Sequence, residues 1–267
     1  MSLVMPLHRA VEYDYPFREV VRSVVGLCDE VVLVVSGYPD GTREACVELG
    51  DYWPGGSLRI IEQDWWDEAR GCQCLADATN VAIEAATGEY VLNLQADEVL
   101  HEDDRPALMR LANRTTLWAE FGRLNFHGRF DAYNANPERW PCSVVRLMQR
   151  RLYPTVRSYG DATHLGWMHN FHSELHRRED ARESVQLWHY AYVRGGRAFV
   201  DRQAGMAKLY GWRADPQIEA ARVKQRVDWK GLVPSSEFRP IPRNHPAVMQ
   251  SWISARQAAV ESGAWEL

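Results

Sequence analysis

The sequence predicts an α/β chain: a mostly parallel sheet flanked by helices, followed by a helical C-terminal extension. Three observations carry this. Strand and helix signals alternate through the first hundred or so residues. Glu30–Val35 (EVVLVV) is an almost unbroken β-branched run, suited to a strand buried on both faces. An Ala-rich helical stretch over 72–86 leads through Thr87-Gly88 into a second apolar strand, EYVLNL at 89–94. Strands separated by helices of this length imply parallel pairing through right-handed crossovers.

In chain order, residues 2–5 form a short apolar first strand. Residues 16–27 follow as a helix, with Val20, Val21, Val24, Val25 and Leu27 at helical spacing and Pro16 near the start. After the strand Glu30–Val35 comes a turn-rich loop, Ser36-Gly37-Tyr38-Pro39-Asp40-Gly41-Thr42, whose last residue suits the N-cap of a helix over 43–49. A strand at 58–62 and the helix at 72–86 repeat the pattern, with Gly88 as a C-cap glycine. The strand at 89–94 delivers Gln95-Ala96-Asp97-Glu98 at its carboxyl end. In such sheets ligands bind beyond the carboxyl ends of the strands, where both this segment and the 36–42 loop lie.

The second half is less regular. Strands are expected at 116–126, 143–149 and 185–193, and a helical pattern over 199–229 is broken at Asp215-Pro216. Residues 232–246, with Pro234, Pro240, Pro242 and Pro246, read as an extended arm before a last helix at 247–262.

Composition narrows the classes. Hydrophobic residues make up 46% of the 267 and charged residues 25%, an ordinary globular balance, and the net charge of −5 argues against a generally basic nucleic-acid surface. Five scattered cysteines without a C-x-x-C predict reduced thiols in a cytoplasmic protein, and Cys72-x-Cys74 has no second pair to complete a metal site. No leader is expected, nor any apolar run near the ~20 residues of a membrane span. G-x-G-x-x-G, G-x-x-x-x-G-K-[ST] and G-x-S-x-G are all absent, which speaks against dehydrogenase, P-loop and hydrolase chemistry. Eleven Trp and eleven Tyr offer platforms for sugars or bases, or simply packing.

The strongest chemical signal is the acidic cluster at Asp97-Glu98. Carboxylates at a parallel-strand terminus can hold Mn2+ or Mg2+ against a diphosphate, or they can cap a helix or a turn. Two longer runs select between these. Asp29-Glu30-Val31-Val32-Leu33-Val34-Val35-Ser36-Gly37-Tyr38-Pro39-Asp40-Gly41-Thr42 resembles the first nucleotide-binding stretch of family 2 glycosyltransferases, a strand and small-residue loop closing on Asp-Gly-Thr. The run from Asn80 through Ala85-Ala86-Thr87-Gly88-Glu89-Tyr90 to Gln95-Ala96-Asp97-Glu98 resembles that family's second stretch, which ends in an acid-x-acid motif. The resemblance covers about residues 1–105.

The resemblance implies a GT-A-type fold and metal-dependent transfer of a sugar from a nucleoside-diphosphate sugar, UDP-linked by default, to an acceptor hydroxyl, with inversion. It implies a donor-binding and catalytic domain over 1–195, with a helical extension over 196–267 packed on it. The nucleoside would lie near 6–10, Ser36, Asp40 and Asp77, with Gln95 at the ribose. Asp97 would be the principal acidic ligand of the metal and His189, in Leu187-Trp188-His189-Tyr190, its distant partner; the alternative for His189 is a buried, hydrogen-bonded histidine. Arg194, Arg197 or Lys208 would neutralise the phosphates. Two positions depart from the family: Gln95 stands where an Asp is usual and supplies no charge, and Val35-Ser36 replaces an acid at the end of the earlier strand.

An inverting transfer also needs a carboxylate base, for which Asp161 and Glu174 are the candidates, each with the alternative of a surface carboxylate. His164, His169, His172 and His176 form a second cluster, either a zinc site or residues lining the acceptor side. The acceptor stays open among glycan, lipid-linked sugar, protein and small molecule. A hydroxylated nucleic-acid base also fits the Arg- and Trp-rich last third, as does a solvated helical tail. The competing functional readings are a transferase that binds nucleotide-sugar without turnover, favoured by Gln95 and Val35, and a nucleotidyltransferase, which the glycine-free Leu7-His8-Arg9-Ala10 disfavours.

Overall fold

The computed structural model of the chain describes residues 1–53, 56–113, 117–160, 162, 165–167, 178–211, 219–221, 226–228, 233–258 and 264–266. Its strands and helices run β1 (Ser2–Leu7), α1 (Phe17–Ser23), β2 (Glu30–Val35), α2 (Thr42–Glu48), β3 (Ser57–Glu62), α3 (Gln73–Ala85), β4 (Tyr90–Asn93), β5 (Glu98–Leu100), α4 (Arg105–Ala112), β6 (Trp118–His127), β7 (Ala132–Asn134) and β8 (Ser143–Gln149). They continue through β9 (Val156–Ser158), β10 (Leu165–Trp167), β11 (Arg178–Tyr192), α5 (Gly196–Tyr210), β12 (Arg226–Asp228), β13 (Phe238–Pro240), α6 (Gln250–Ser254) and β14 (Ala264–Glu266).

Ten strands form one sheet with the path β13-β7-β6-β8-β4-β1-β2-β3, onto which β11 adds along β6 and β5 along β11. The first half supplies the parallel block expected of it: β1 pairs in parallel with β2 and β4, and β2 with β3. All six residues of β2 are buried, as its unbroken apolar run requires. Beyond β4 the sheet turns antiparallel through β8 and β6, and returns to parallel only where β11 lies against β6. Apolar clusters pack on both faces. The chain beyond 196 opens with the 15-residue α5 and later adds β13 to the sheet edge beside β7.

Several elements differ in extent from the sequence pattern, for physical reasons. The first helix stops at Ser23, and the chain turns at Gly26, whose φ is +76°. Thr42 opens α2 rather than capping it; Gly41 (φ +85°) takes the cap position, and the Asp40 carboxylate accepts from the Thr42 amide at 3.1 Å. Gly88 is not a left-handed cap. A Cβ there would lie 2.6 Å from Ser2 Oγ, and the Gly88 amide donates to that oxygen at 2.9 Å, so glycine is needed for close approach to β1. The strand expected from 185 begins at Arg178, and a break in its register between Ala181 and Gln186 presses the Arg182 carbonyl against Gly122.

Candidate active site

Strand pairing assembles the site from segments far apart in sequence. Chain leaving β4 makes a short turn and enters β5, which pairs antiparallel with β11 so that Glu98 faces His189. The same His189 stands opposite Asn125 across the β11–β6 ladder. Arg123 lies two residues before Asn125 and therefore shares its face of β6. Arg146 comes from the middle of β8, and Arg194 from the turn that joins β11 to α5.

These side chains form one buried network. Asp97 is 3% exposed, His189 2% and Arg194 0%. Arg194 Nη2 donates to Asp97 Oδ2 at 3.0 Å and its Nη1 to the Tyr13 carbonyl at 2.9 Å, while the guanidinium lies over the Tyr15 ring. Arg123 Nη2 reaches His189 Nε2 at 2.7 Å and Gln95 Oε1 at 3.0 Å, and its Nε lies 3.1 Å from Glu98 Oε1. Glu98 takes a two-pronged bond from Arg146 (2.8 and 2.9 Å) and accepts from the Gln95 amide at 3.0 Å. Bidentate guanidinium–carboxylate pairing with further backbone bonds is what lets such charges remain buried.

The protonation states follow from the donors. A guanidinium only donates, so His189 Nε2 accepts from Arg123, and Nδ1 carries the proton and donates to Asn125 Oδ1 at 2.8 Å. Burial, then the charge of Arg123, pushes His189 down to about 4, so it is neutral at pH 7. Its 3.5 Å approach to Asp97 Oδ1 is therefore not an ion pair. Burial alone would raise the Asp97 carboxyl, but with His189 neutral it is the charge of Arg194, 3.0 Å away, that holds it well below the usual carboxylate range. Burial would likewise raise Glu98, and Arg146 and Arg123 reverse that.

As a cage for Mn2+ or Mg2+ this arrangement does not fit. These ions need several oxygen ligands in open, converging geometry. Here Asp97 Oδ2 is paired with Arg194, His189 Nε2 accepts from Arg123, and Gln95 has no carboxylate to offer. Among the described residues no three His, Cys, Asp or Glu side chains converge on one point.

The structure thus brings Gln95, Asp97, His189 and Arg194 together. Ser36 stands nearby at the carboxyl end of β2, its Oγ 2.8 Å from His8 Nδ1; His8 stacks on Trp66 at 3.9 Å, with Trp65 and Tyr38 edge-on. Asp40 holds the loop after β1, accepting from the Val11 and Glu12 amides at 3.2 and 3.0 Å. Asp77 is on α3, paired with Arg70. Arg197 is exposed and 3.6 Å from Asp201. Lys208 is exposed in the last turn of α5, about 18 Å along the helix axis from Gly196 at 1.5 Å per residue. Asp161, Glu174, His164, His169, His172 and His176 lie outside the described residues.

Arg123, Arg146 and Asn125 did not emerge from the sequence motifs. A usable signal existed: Arg146 interrupts the apolar run VVRLM, and Arg123 stands among Phe121, Leu124 and Phe126 in a strand buried along nearly its whole length. An arginine so placed demands a buried carboxylate. No helix among the described residues is long and apolar enough to cross a membrane.

No curated protein matches the sequence. Solved structures resemble the fold. Residues 1–349 of S. aureus TarS superpose with a TM-score of 0.48 at 13% identity, covering 83% of this chain and 70% of that one. The same protein bound to UDP-GlcNAc gives 0.47 at 13% identity, covering 83% of this chain and 71% of that one. The mannosyltransferase PcManGT from Pyrobaculum calidifontis, in complex with GDP-Man and Mn2+, gives 0.47 at 15% identity, covering 97% and 69%. The sequence model of glycosyl transferase family 2 matches residues 2–204, well over half of the chain. With this match, and with its curled mixed sheet flanked by helices of the GT-A type, the chain belongs to glycosyl transferase family 2 and is a glycosyltransferase.

Proposed function

We propose that the chain moves a sugar from a nucleoside-diphosphate sugar, UDP-linked by default, to an acceptor hydroxyl with inversion at the sugar carbon. The observation that carries this is the Asp97–Arg194 and Arg123–His189 network just beyond the carboxyl end of β4, where open α/β sheets bind ligands. The nucleoside lies over the carboxyl ends of β1 and β2, against His8, Ser36 and the Trp65–Trp66 pair, and the diphosphate points toward Gln95. In the reaction the acceptor oxygen attacks the sugar carbon, the bond from that carbon to the diphosphate oxygen breaks, and the acceptor proton passes to a carboxylate, Asp161 or Glu174. Fixed positive charge facing the departing diphosphate stabilises the charge that develops there. Side chains of the protein supply that charge.

The test is nucleotide release from UDP-, GDP-, ADP- and dTDP-sugars with a panel of glycan and small-molecule acceptors. Release from one donor, reduced by a hundredfold or more in Asp97→Asn, is expected. If the native chain neither releases nor binds any of the four nucleotides, the donor-binding reading is wrong.

A further inference from the structure

The residues at the acid-x-acid position describe a site that has exchanged its cation for side chains. Asp97 Oδ2 is 3.0 Å from Arg194 Nη2, and His189 Nε2 is 2.7 Å from Arg123 Nη2, so both the carboxylate and the imidazole are engaged by guanidinium groups. The position that would complete an acidic pair is Gln95, whose Oε1 accepts from the same Arg123 Nη2 at 3.0 Å. Gln95 therefore accepts from Arg123 at the partly exposed edge of the cluster without adding a carboxylate to the one Arg123 already meets in Glu98. Both guanidinium groups are almost wholly buried, at 0% exposure for Arg194 and 4% for Arg123. Their charge is held in place by packing and is poorly screened by water or salt. A divalent ion could enter only by displacing one of them from its acceptor, which would strand a guanidinium in the interior.

We infer that this chain binds the diphosphate of its donor without a divalent cation, the positive charge at that position being carried by the guanidinium groups of Arg123 and Arg194. The inference rests on the donor-binding reading above and goes beyond it by naming the buried charge that stands where a cation would. Asp97 is then a positioning residue, fixing Arg194 rather than ligating an ion. Gln95 is the substitution that makes the exchange work.

The experiment is calorimetric titration of the full chain with UDP, GDP, ADP and dTDP, once in EDTA and once in millimolar Mn2+. The expected result is that the tightest nucleotide binds with a Kd differing less than threefold between the two conditions. A difference of threefold or more in favour of Mn2+ overturns the inference and leaves the donor reading standing. Absence of binding by all four nucleotides in both conditions overturns both. Titrating Mn2+ into the native chain, followed by its EPR signal, gives a second reading that needs no variant. The free-ion spectrum should persist at equimolar protein, and its stoichiometric loss counts against the inference. Arg123→Gln should weaken UDP at least tenfold and leave uridine unchanged, and equal weakening of uridine would show a structural role only.

Discussion

Replacing Arg194 with Met tests the buried network most sharply. The substitution keeps a long apolar stem but removes the donor to Asp97 Oδ2 (3.0 Å) and the donor to the Tyr13 carbonyl (2.9 Å). Asp97 is 3% exposed, so water cannot take over the lost bond. His189 cannot substitute either, because its Nε2 already accepts from Arg123. Stranding one member of a buried pair costs about 3–5 kcal/mol, and the orphaned carbonyl adds about 1 kcal/mol. The sum of roughly 4–6 kcal/mol is a large share of a typical domain's 5–15 kcal/mol. At about 2–4 °C per kcal/mol for a chain of this size, the melting midpoint should fall by roughly 8–24 °C. Adding Asp97→Asn removes the stranded charge, so the double variant should recover at least about 2 kcal/mol relative to Arg194→Met alone. Urea and thermal unfolding followed by circular dichroism measure both. A single variant within about 1 kcal/mol of the native chain, or a double variant no more stable than the single, would refute the argument that the Asp97–Arg194 pair is formed and dry.

The remaining predictions are briefer. Burial pushes His189 down to about 4 and His127 to about 3, while in the unfolded chain each titrates near 6.5. The unfolded state therefore takes up protons first as pH falls, and stability is lost from about 6.5 downward, by roughly 2 kcal/mol per histidine at pH 5. Asp97 and Glu98, held below their ordinary range, contribute above it and are lost only at lower pH, so a flat urea midpoint between pH 7 and 5 contradicts the histidine assignment. Gly88→Ala drives a Cβ to 2.6 Å from Ser2 Oγ and should cost about 1–3 kcal/mol; an unchanged midpoint would mean that the β1 terminus gives way freely. Of Asp161→Asn and Glu174→Gln, the one that removes the base should lower kcat about 10²–10⁴-fold with little change in donor KM, and no loss in either excludes both as the base.

How much of this was legible in the sequence depended on range. The parallel block was readable because each of its elements carries a local signature: the β-branched run at Glu30–Val35, the Ala-rich helix, the strand leading into Gln95-Ala96-Asp97-Glu98. Strand β5 was not readable. Three residues, Glu98–Leu100, hold no periodicity of their own, and they are a strand only because β11, some ninety residues later, lies beside them. The mixed second half of the sheet was opaque for the same reason, since antiparallel and parallel partners of β6 leave the same apolar pattern on it.

The site shows how a correct motif can carry an incomplete chemistry. Asp97 and His189 were singled out as partners, and they are neighbours, 3.5 Å apart. What the motif could not convey is that each is already engaged. A carboxylate reads the same in sequence whether it awaits an ion or balances a guanidinium, and the difference lies in Arg194, expected only at the phosphates, and in Arg123, which the motif gave no reason to inspect. The one local clue was Gln95. Where an acidic pair loses one charge, the cation it served must either bind more weakly or be replaced, and replacement requires arginines buried in the strands beside it. Both Arg123 and Arg146 meet that description, and Glu98, next to Asp97, is the carboxylate that keeps them there. Substitution at the acid-x-acid position and arginine in the neighbouring strands are thus two halves of one electrostatic exchange, and the calorimetric comparison with and without Mn2+ asks whether they function as one.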